Sequence, residues 1–222
     1  MPISCEDCHP QVLKIHADLL LTLSLFFAEG GEKLPQTIGP LVKSCTAFAE
    51  YYKLDKLLLS KETLAQCSGA DDASYLLMCY EFNRLFVGPT APVAPPYESV
   101  YLSPDHLMMG DQTLAVRKIY TQENLQASAQ GHEPDDFIAT ELEFAAYLLS
   151  RLMDAQATRN DLQILHYKSL YHAFWTQHPS LWLGLFAQSI SQSTHHPLFS
   201  ALSDVLDTLT TLKLIKHEGG PL

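Results

Sequence analysis

Two thiols three positions apart with an imidazole directly after them, Cys5-Glu6-Asp7-Cys8-His9, have the spacing of a c-type haem attachment site. The same three donors suit a loose metal or redox site. Haem attachment of that kind requires export, and no export signal precedes the motif: Glu6 and Asp7 stand where a leader needs basic residues. A surface segment ahead of the first helix accounts for the same residues without any ligand. The ten histidines are scattered, and His195-His196 before Pro197 reads as a helix-start loop. No His-Glu-x-x-His places two metal ligands on one helical face. There is no Gly-x-x-x-x-Gly-Lys-Ser/Thr loop to cradle phosphate and no Gly-x-Ser-x-Gly nucleophile turn. Asp136 and Glu141 are the pair that acid–base chemistry would use, but a spacing of five is a poor match to one helix face. The expectation is therefore no catalytic residue, no metal and no cofactor, and not an enzyme. The alternative is a small redox or metal-handling protein using Cys5, Cys8 and His9.

The elements that would position any site are helical. Hydrophobic residues make up 47% of the 222 and charged residues only 18%, enough to form a core and too apolar for extensive disorder. The net charge of −11 argues against phosphate backbones and anionic membrane surfaces, and suits a partner carrying positive charge. The longest apolar run, Leu19 to Ala28, is shorter than the roughly 20 residues a bilayer crossing takes. The expected location is the cytoplasm, without membrane insertion. Five cysteines do not read as a disulfide framework.

Val12, Ile15, Leu19, Leu23 and Phe26 form one helical stripe, ended by Gly30-Gly31. Further helices are expected over residues 41–52, entered after Gly39-Pro40, and over residues 55–66. A fourth is capped by Asp71 or Asp72, with Leu76, Cys79, Phe82 and Phe86 on one face. Pro89, Pro92, Pro95, Pro96 and Pro104 exclude a helix interior and predict a stiff extended connection over residues 87–104. Residues 107–130 return to helical character. Ile138, Leu142, Ala145, Leu149 and Leu152 then step by four and three, with Asp135 or Asp136 as the cap of that helix. His178-Pro179 and His196-Pro197 punctuate the helices that follow. No stretch alternates as a strand would. The fold class expected is all-α: a single helical bundle of roughly eight to ten helices across residues 1–222, with a possible hinge at 87–104. Exchange across that hinge makes the expected state a monomer with a possible domain-swapped dimer.

Two segments stand out. One is Phe82-Asn83-Arg84-Leu85-Phe86, leading to Pro95-Pro96-Tyr97-Glu98-Ser99-Val100-Tyr101; the other is Glu133-Pro134-Asp135-Asp136-Phe137. On residues alone, the first reads as helix core followed by a stiff linker, and the second as a cap and solvated turn. Together they resemble the TorD/DmsD family of cytoplasmic molybdoenzyme maturation chaperones. Phe82, Leu85 and Phe86 fill its aromatic-x-x-Leu-Phe motif, Pro95 to Tyr101 its Pro-Pro-Tyr-Glu-Ser-Val-Tyr-like segment, and Glu133, Pro134 and Asp136 its Glu-Pro-x-Asp-His motif. The family's histidine is Phe137 here.

The resemblance implies a chaperone of anaerobic respiration. It would bind the twin-arginine signal peptide and apo form of a molybdenum-containing reductase or dehydrogenase, assist cofactor insertion and delay export. The site residues it implies are Phe82, Leu85, Phe86, Pro96, Tyr97, Glu98, Ser99, Tyr101, Glu133, Pro134, Asp135, Asp136 and Phe137. In that reading Glu133, Asp135 and Asp136 meet guanidinium forks while the aromatic residues line an apolar trough. Asp136→Ala and Tyr97→Ala are both expected to weaken peptide binding and leave the fold intact.

Overall fold

The computed structural model describes residues 9–126 and 133–212. Cys5 and Cys8 lie outside these residues. Among the described residues the chain forms ten α-helices and no extended strand, as the patterning predicts.

Helix α1 (Pro10–Glu29) begins at Pro10, with the His9 imidazole accepting from the Gln11 N–H, and stops at Gly30, whose φ of 74° suits glycine. It is long and apolar enough to cross a membrane by length and composition, although its longest unbroken apolar run is shorter. Its apolar positions instead pack against α7 and α2 as a central helix of the bundle, with Leu13, Leu19, Leu20, Leu23 and Phe26 fully buried.

A 3₁₀ turn (Gly31–Lys33) leads into α2 (Leu34–Tyr52). This helix starts seven residues earlier than the expected 41–52 and runs straight through Gly39-Pro40. Leu34, Thr37, Ile38 and Leu41 form a buried stripe across the proline. Pro40 and the residue four before it, Gln36, are both exposed, so the carbonyl that loses its partner faces solvent. Burial of the stripe outweighs the missing bond.

Helix α3 (Asp55–Ser68) packs on α2 and α10. In α4 (Asp72–Phe86), Asp71 supplies the cap by accepting from the Ser74 N–H at 2.8 Å. Its buried face is Met78, Phe82, Leu85 and Phe86. Leu76, expected on that face, is exposed together with Leu77 and Tyr80.

The proline-rich connection is extended but not featureless. Gly88, at φ 124°, turns the chain where a Cβ would sit 2.7 Å from the Thr90 carbonyl. Ala94 is buried and its N–H donates to the Leu85 carbonyl. Within the segment lies a short helix that the sequence reading did not anticipate, α5 (Glu98–Leu102).

Residues 107–126, the described part of the expected 107–130 helix, are not one helix: within them only α6 (Asp111–Gln122) is helical, and Leu107, Met108 and Met109 lie exposed in the loop before it. Helix α7 (Ile138–Ala157) buries the predicted stripe completely. Helices α8 (Asp161–Gln177), α9 (Pro179–Ser193) and α10 (Pro197–Thr211) complete the bundle, and α9 and α10 start at the prolines after His178 and His196.

Candidate functional site

Local backbone pairing brings the two motif segments together. The Glu98 N–H donates to the Asp136 carbonyl at 3.1 Å, and the Ile138 N–H donates to the Pro96 carbonyl at 2.9 Å. Tyr97 and Phe137 form an isolated antiparallel bridge, their rings 5.5 Å apart. Phe137, at the place of the family's histidine, thus acts as an aromatic partner to Tyr97.

The acids divide into two groups. Asp136 is fully buried. Its carboxylate accepts from the Ser99 N–H at 2.8 Å and from the Thr113 hydroxyl at 2.7 Å. It was expected to cap α7; it caps α5 instead, because the backbone bridge delivers it to the free N–H groups of that helix. Asp135 is also buried and accepts from the Arg117 Nε at 2.6 Å. Both carboxylates are interior, so the expected surface cluster of three acids is not present. Pro134 is buried as well. Only Glu133 faces outward, its Oε2 accepting from the Tyr97 hydroxyl at 2.7 Å.

Glu98 and Ser99 are interior as well. Glu98 lies against the His178 Nδ1 at 2.9 and 3.1 Å, tying α5 to the start of α9. Glu141 on α7 is fully buried and accepts from the Trp182 Nε1 at 3.0 Å. Its other oxygen has no hydrogen-bond partner among the described residues. Burial first, then the neighbouring Glu98, pushes Glu141 well above the ordinary glutamate range. The acid–base pair considered from sequence, Asp136 and Glu141, is therefore enclosed in a structural network.

That network makes stability depend on pH. The folded chain keeps a proton on Glu141 that the unfolded chain releases in the ordinary carboxylate range. Its contribution is complete below that range and declines as pH rises towards the elevated folded value, by up to about 1.4 kcal/mol per pH unit. Glu141→Gln removes the titrating group and keeps an oxygen for Trp182. It is expected to gain on the wild type between pH 5 and pH 8 in urea melts. An equal difference at both pH values would contradict the upward shift of Glu141.

Beside the bridge lies a hollow of about 440 Å³, within the range of ligand sites. Phe82, Phe86, Pro96, Tyr97, Glu133 and Phe137 line it, among the thirteen residues expected from sequence. Phe82 and Phe86 are almost wholly buried and form its floor, within a cluster of aromatic rings that includes Phe27 and Phe186. Leu85 lies in the core and does not reach the hollow. Tyr101 stacks on Trp182 at 5.6 Å, away from it.

The hollow also takes in Phe27 from α1, Met108 from the loop before α6, and Thr140 and Glu143 from the outer edge of α7, none of which was singled out from sequence. Glu143 had a signal. With Thr140 and Tyr147 it falls at spacings of three and four on the edge of α7 that the buried stripe leaves open. The alternative reading rests on Cys5 and Cys8, which lie outside the described residues; of its three donors only His9 is described, and its imidazole is engaged as a helix cap.

Comparison with known proteins gives the family. Residues 44–188 match the family model described as the nitrate reductase delta subunit, and the chain belongs to that family. Among its relatives, the Tat proofreading chaperone DmsD of Salmonella typhimurium is 30% identical over 124 residues, covering 56% of this chain and 54% of that protein. The probable Tat proofreading chaperone DmsD of Haemophilus influenzae is 29% identical over 133 residues, 60% of this chain and 57% of that one. The chaperone protein TorD of Aliivibrio fischeri is 27% identical over 153 residues, 69% and 68% respectively. The TorD/DmsD resemblance carried by the motifs is thereby borne out, and these relatives are chaperones by name, not enzymes. The match spans about half the length of the DmsD relatives.

Proposed function

We propose that this chain is a cytoplasmic chaperone that holds the leader of a molybdoenzyme precursor in the hollow between α4, the Pro96-Tyr97 segment and α7. The leader has an arginine pair followed by an apolar stretch. In this reading the chaperone keeps the apoenzyme from export until its cofactor is inserted. The observation that carries the reading is the composition of the hollow: a floor of Phe82 and Phe86, walls of Pro96, Tyr97 and Phe137, and the carboxylates of Glu133 and Glu143 among its lining.

Apolar side chains enter the trough, and the guanidinium groups meet the rim. Burying about 300 Å² of apolar ligand surface releases roughly 7 kcal/mol before ordering costs, less than the about 8 kcal/mol net that micromolar binding requires, so the arginine–carboxylate pairs must supply the remainder. The rim acids orient the leader, and the chain's charge of −11 favours its approach.

Calorimetry tests this with a synthetic peptide carrying two arginines and ten apolar residues. Micromolar binding is expected, weakened about tenfold when both arginines are lysines, since lysine lacks the planar fork. It should be abolished when the apolar residues are replaced by serine and glycine. Equal binding of all three peptides, or no binding of the first, would refute the reading.

A further inference from the structure

A second, smaller hollow of about 180 Å³ lies further along α7, lined by Tyr120, Leu125, Phe144 and Tyr147. It shares two lining residues with the first hollow, Thr140 and Glu143, so the two are continuous along one edge of the helix. Glu143 is exposed on the saddle between them, and its side chain makes no hydrogen bond or ion pair with any described residue. The acids nearby are already engaged: Glu133 with Tyr97, Asp135 with Arg117, and Glu123 with His166.

We propose that the second hollow is a further subsite for the same peptide, and that Glu143 is the carboxylate that selects arginine. This rests on the reading of the first hollow as the peptide site. The occupant is an extended segment with a large apolar side chain on either side of a cation. The α7 wall that the two hollows form together runs from Ala139 to Tyr147, a rise of about 12 Å. An extended peptide covers that distance in about three to four residues. The ligand therefore places one apolar anchor in each hollow, three positions apart, with an arginine between them over Glu143. The second hollow has room for one leucine- or phenylalanine-sized group. Its wall of Tyr120, Phe144 and Tyr147 favours an aromatic or branched aliphatic side chain over a polar one. An anchor on both sides also screens the guanidinium–carboxylate pair from water, which strengthens it beyond an ordinary surface pair.

Fluorescence anisotropy with three labelled peptides decides the matter. One carries two apolar anchors three residues apart with arginine between, one has citrulline in place of that arginine, and one has alanine in place of the second anchor. They are titrated against the wild type, Glu143→Gln, Tyr147→Ala and Tyr97→Ala, each checked for an unchanged helical spectrum. Glu143→Gln is expected to bind the arginine peptide about tenfold more weakly and the citrulline peptide as the wild type does. Tyr147→Ala is expected to weaken the two-anchor peptide five- to tenfold and leave the one-anchor peptide unaffected. If Glu143→Gln and Tyr147→Ala both bind like the wild type while Tyr97→Ala loses affinity, the second subsite is disproved and the first hollow stands. If Tyr97→Ala also binds like the wild type, the reading of the first hollow fails and takes this one with it.

Discussion

Asp136→Ala is expected to lower the free energy of unfolding by about 3 to 5 kcal/mol, and its effect on peptide binding will follow from loss of the fold. The buried carboxylate is the common acceptor for the Ser99 N–H and the Thr113 hydroxyl. A hydrogen bond to a charged group contributes about 1.5 to 3 kcal/mol, and truncation also leaves both donors buried without a partner. The lost cap frees α5, and with it Glu98, the partner of His178 on the far side of the network. Asp136→Asn keeps one acceptor but turns an N–H₂ towards a donor, so about half the loss is expected. Urea denaturation followed by circular dichroism measures both. A melt for Asp136→Ala within about 0.5 kcal/mol of the wild type would restore the aspartate to the role of surface ligand that its sequence position suggests.

Tyr97→Ala should behave in the opposite way. Its ring is half-buried, forms a wall of the first hollow against Phe137, and orients Glu133 through its hydroxyl. Deletion removes apolar contact surface and releases the rim carboxylate, a loss of about 2 kcal/mol in binding, or roughly thirtyfold in Kd. Tyr97→Phe keeps the wall and frees only Glu133, so a loss of a few-fold is expected. Leu162→Ala, on an exposed position of α8 remote from the hollow, is the matching control and should change nothing. Calorimetry on folded variants separates the three. Tyr97→Ala binding as tightly as Leu162→Ala would exclude this wall from the site.

The contrast between these two residues explains how far the sequence could be read. Periodicity located the core stripe of α7 without error, because five apolar residues at spacings of four and three have one way to bury themselves. It failed at α2, where proline chemistry at Pro40 pointed to a boundary. Burial of Leu34, Thr37 and Ile38 overrode that signal, because the exposed side of the helix could tolerate the missing bond. It failed again at Leu76, where an apolar residue on a helix was assigned to the core and lies at the surface.

The motifs marked the segments that border the first hollow but not the direction of each side chain. Three acids within four residues look alike in a sequence. Only the backbone bridge between residues 96–98 and 136–138 decides that Asp135 and Asp136 turn inward while Glu133 turns out. Conversely, Glu143 carries no motif and becomes conspicuous only once α7 is seen to border both hollows.

In the proposed complex the leader peptide lies against Pro96, Tyr97, Phe137 and the edge of α7. Photo-crosslinking locates it directly: a peptide with two arginines and a benzophenone-bearing residue in its apolar stretch is irradiated in complex with the protein, and the attachment sites are read by mass spectrometry. Adducts are expected within residues 82–97 and 137–147, competed away by unlabelled peptide. Competed adducts confined to the exposed apolar positions of α8, such as Leu162 and Leu165, would place the ligand elsewhere and contradict the account.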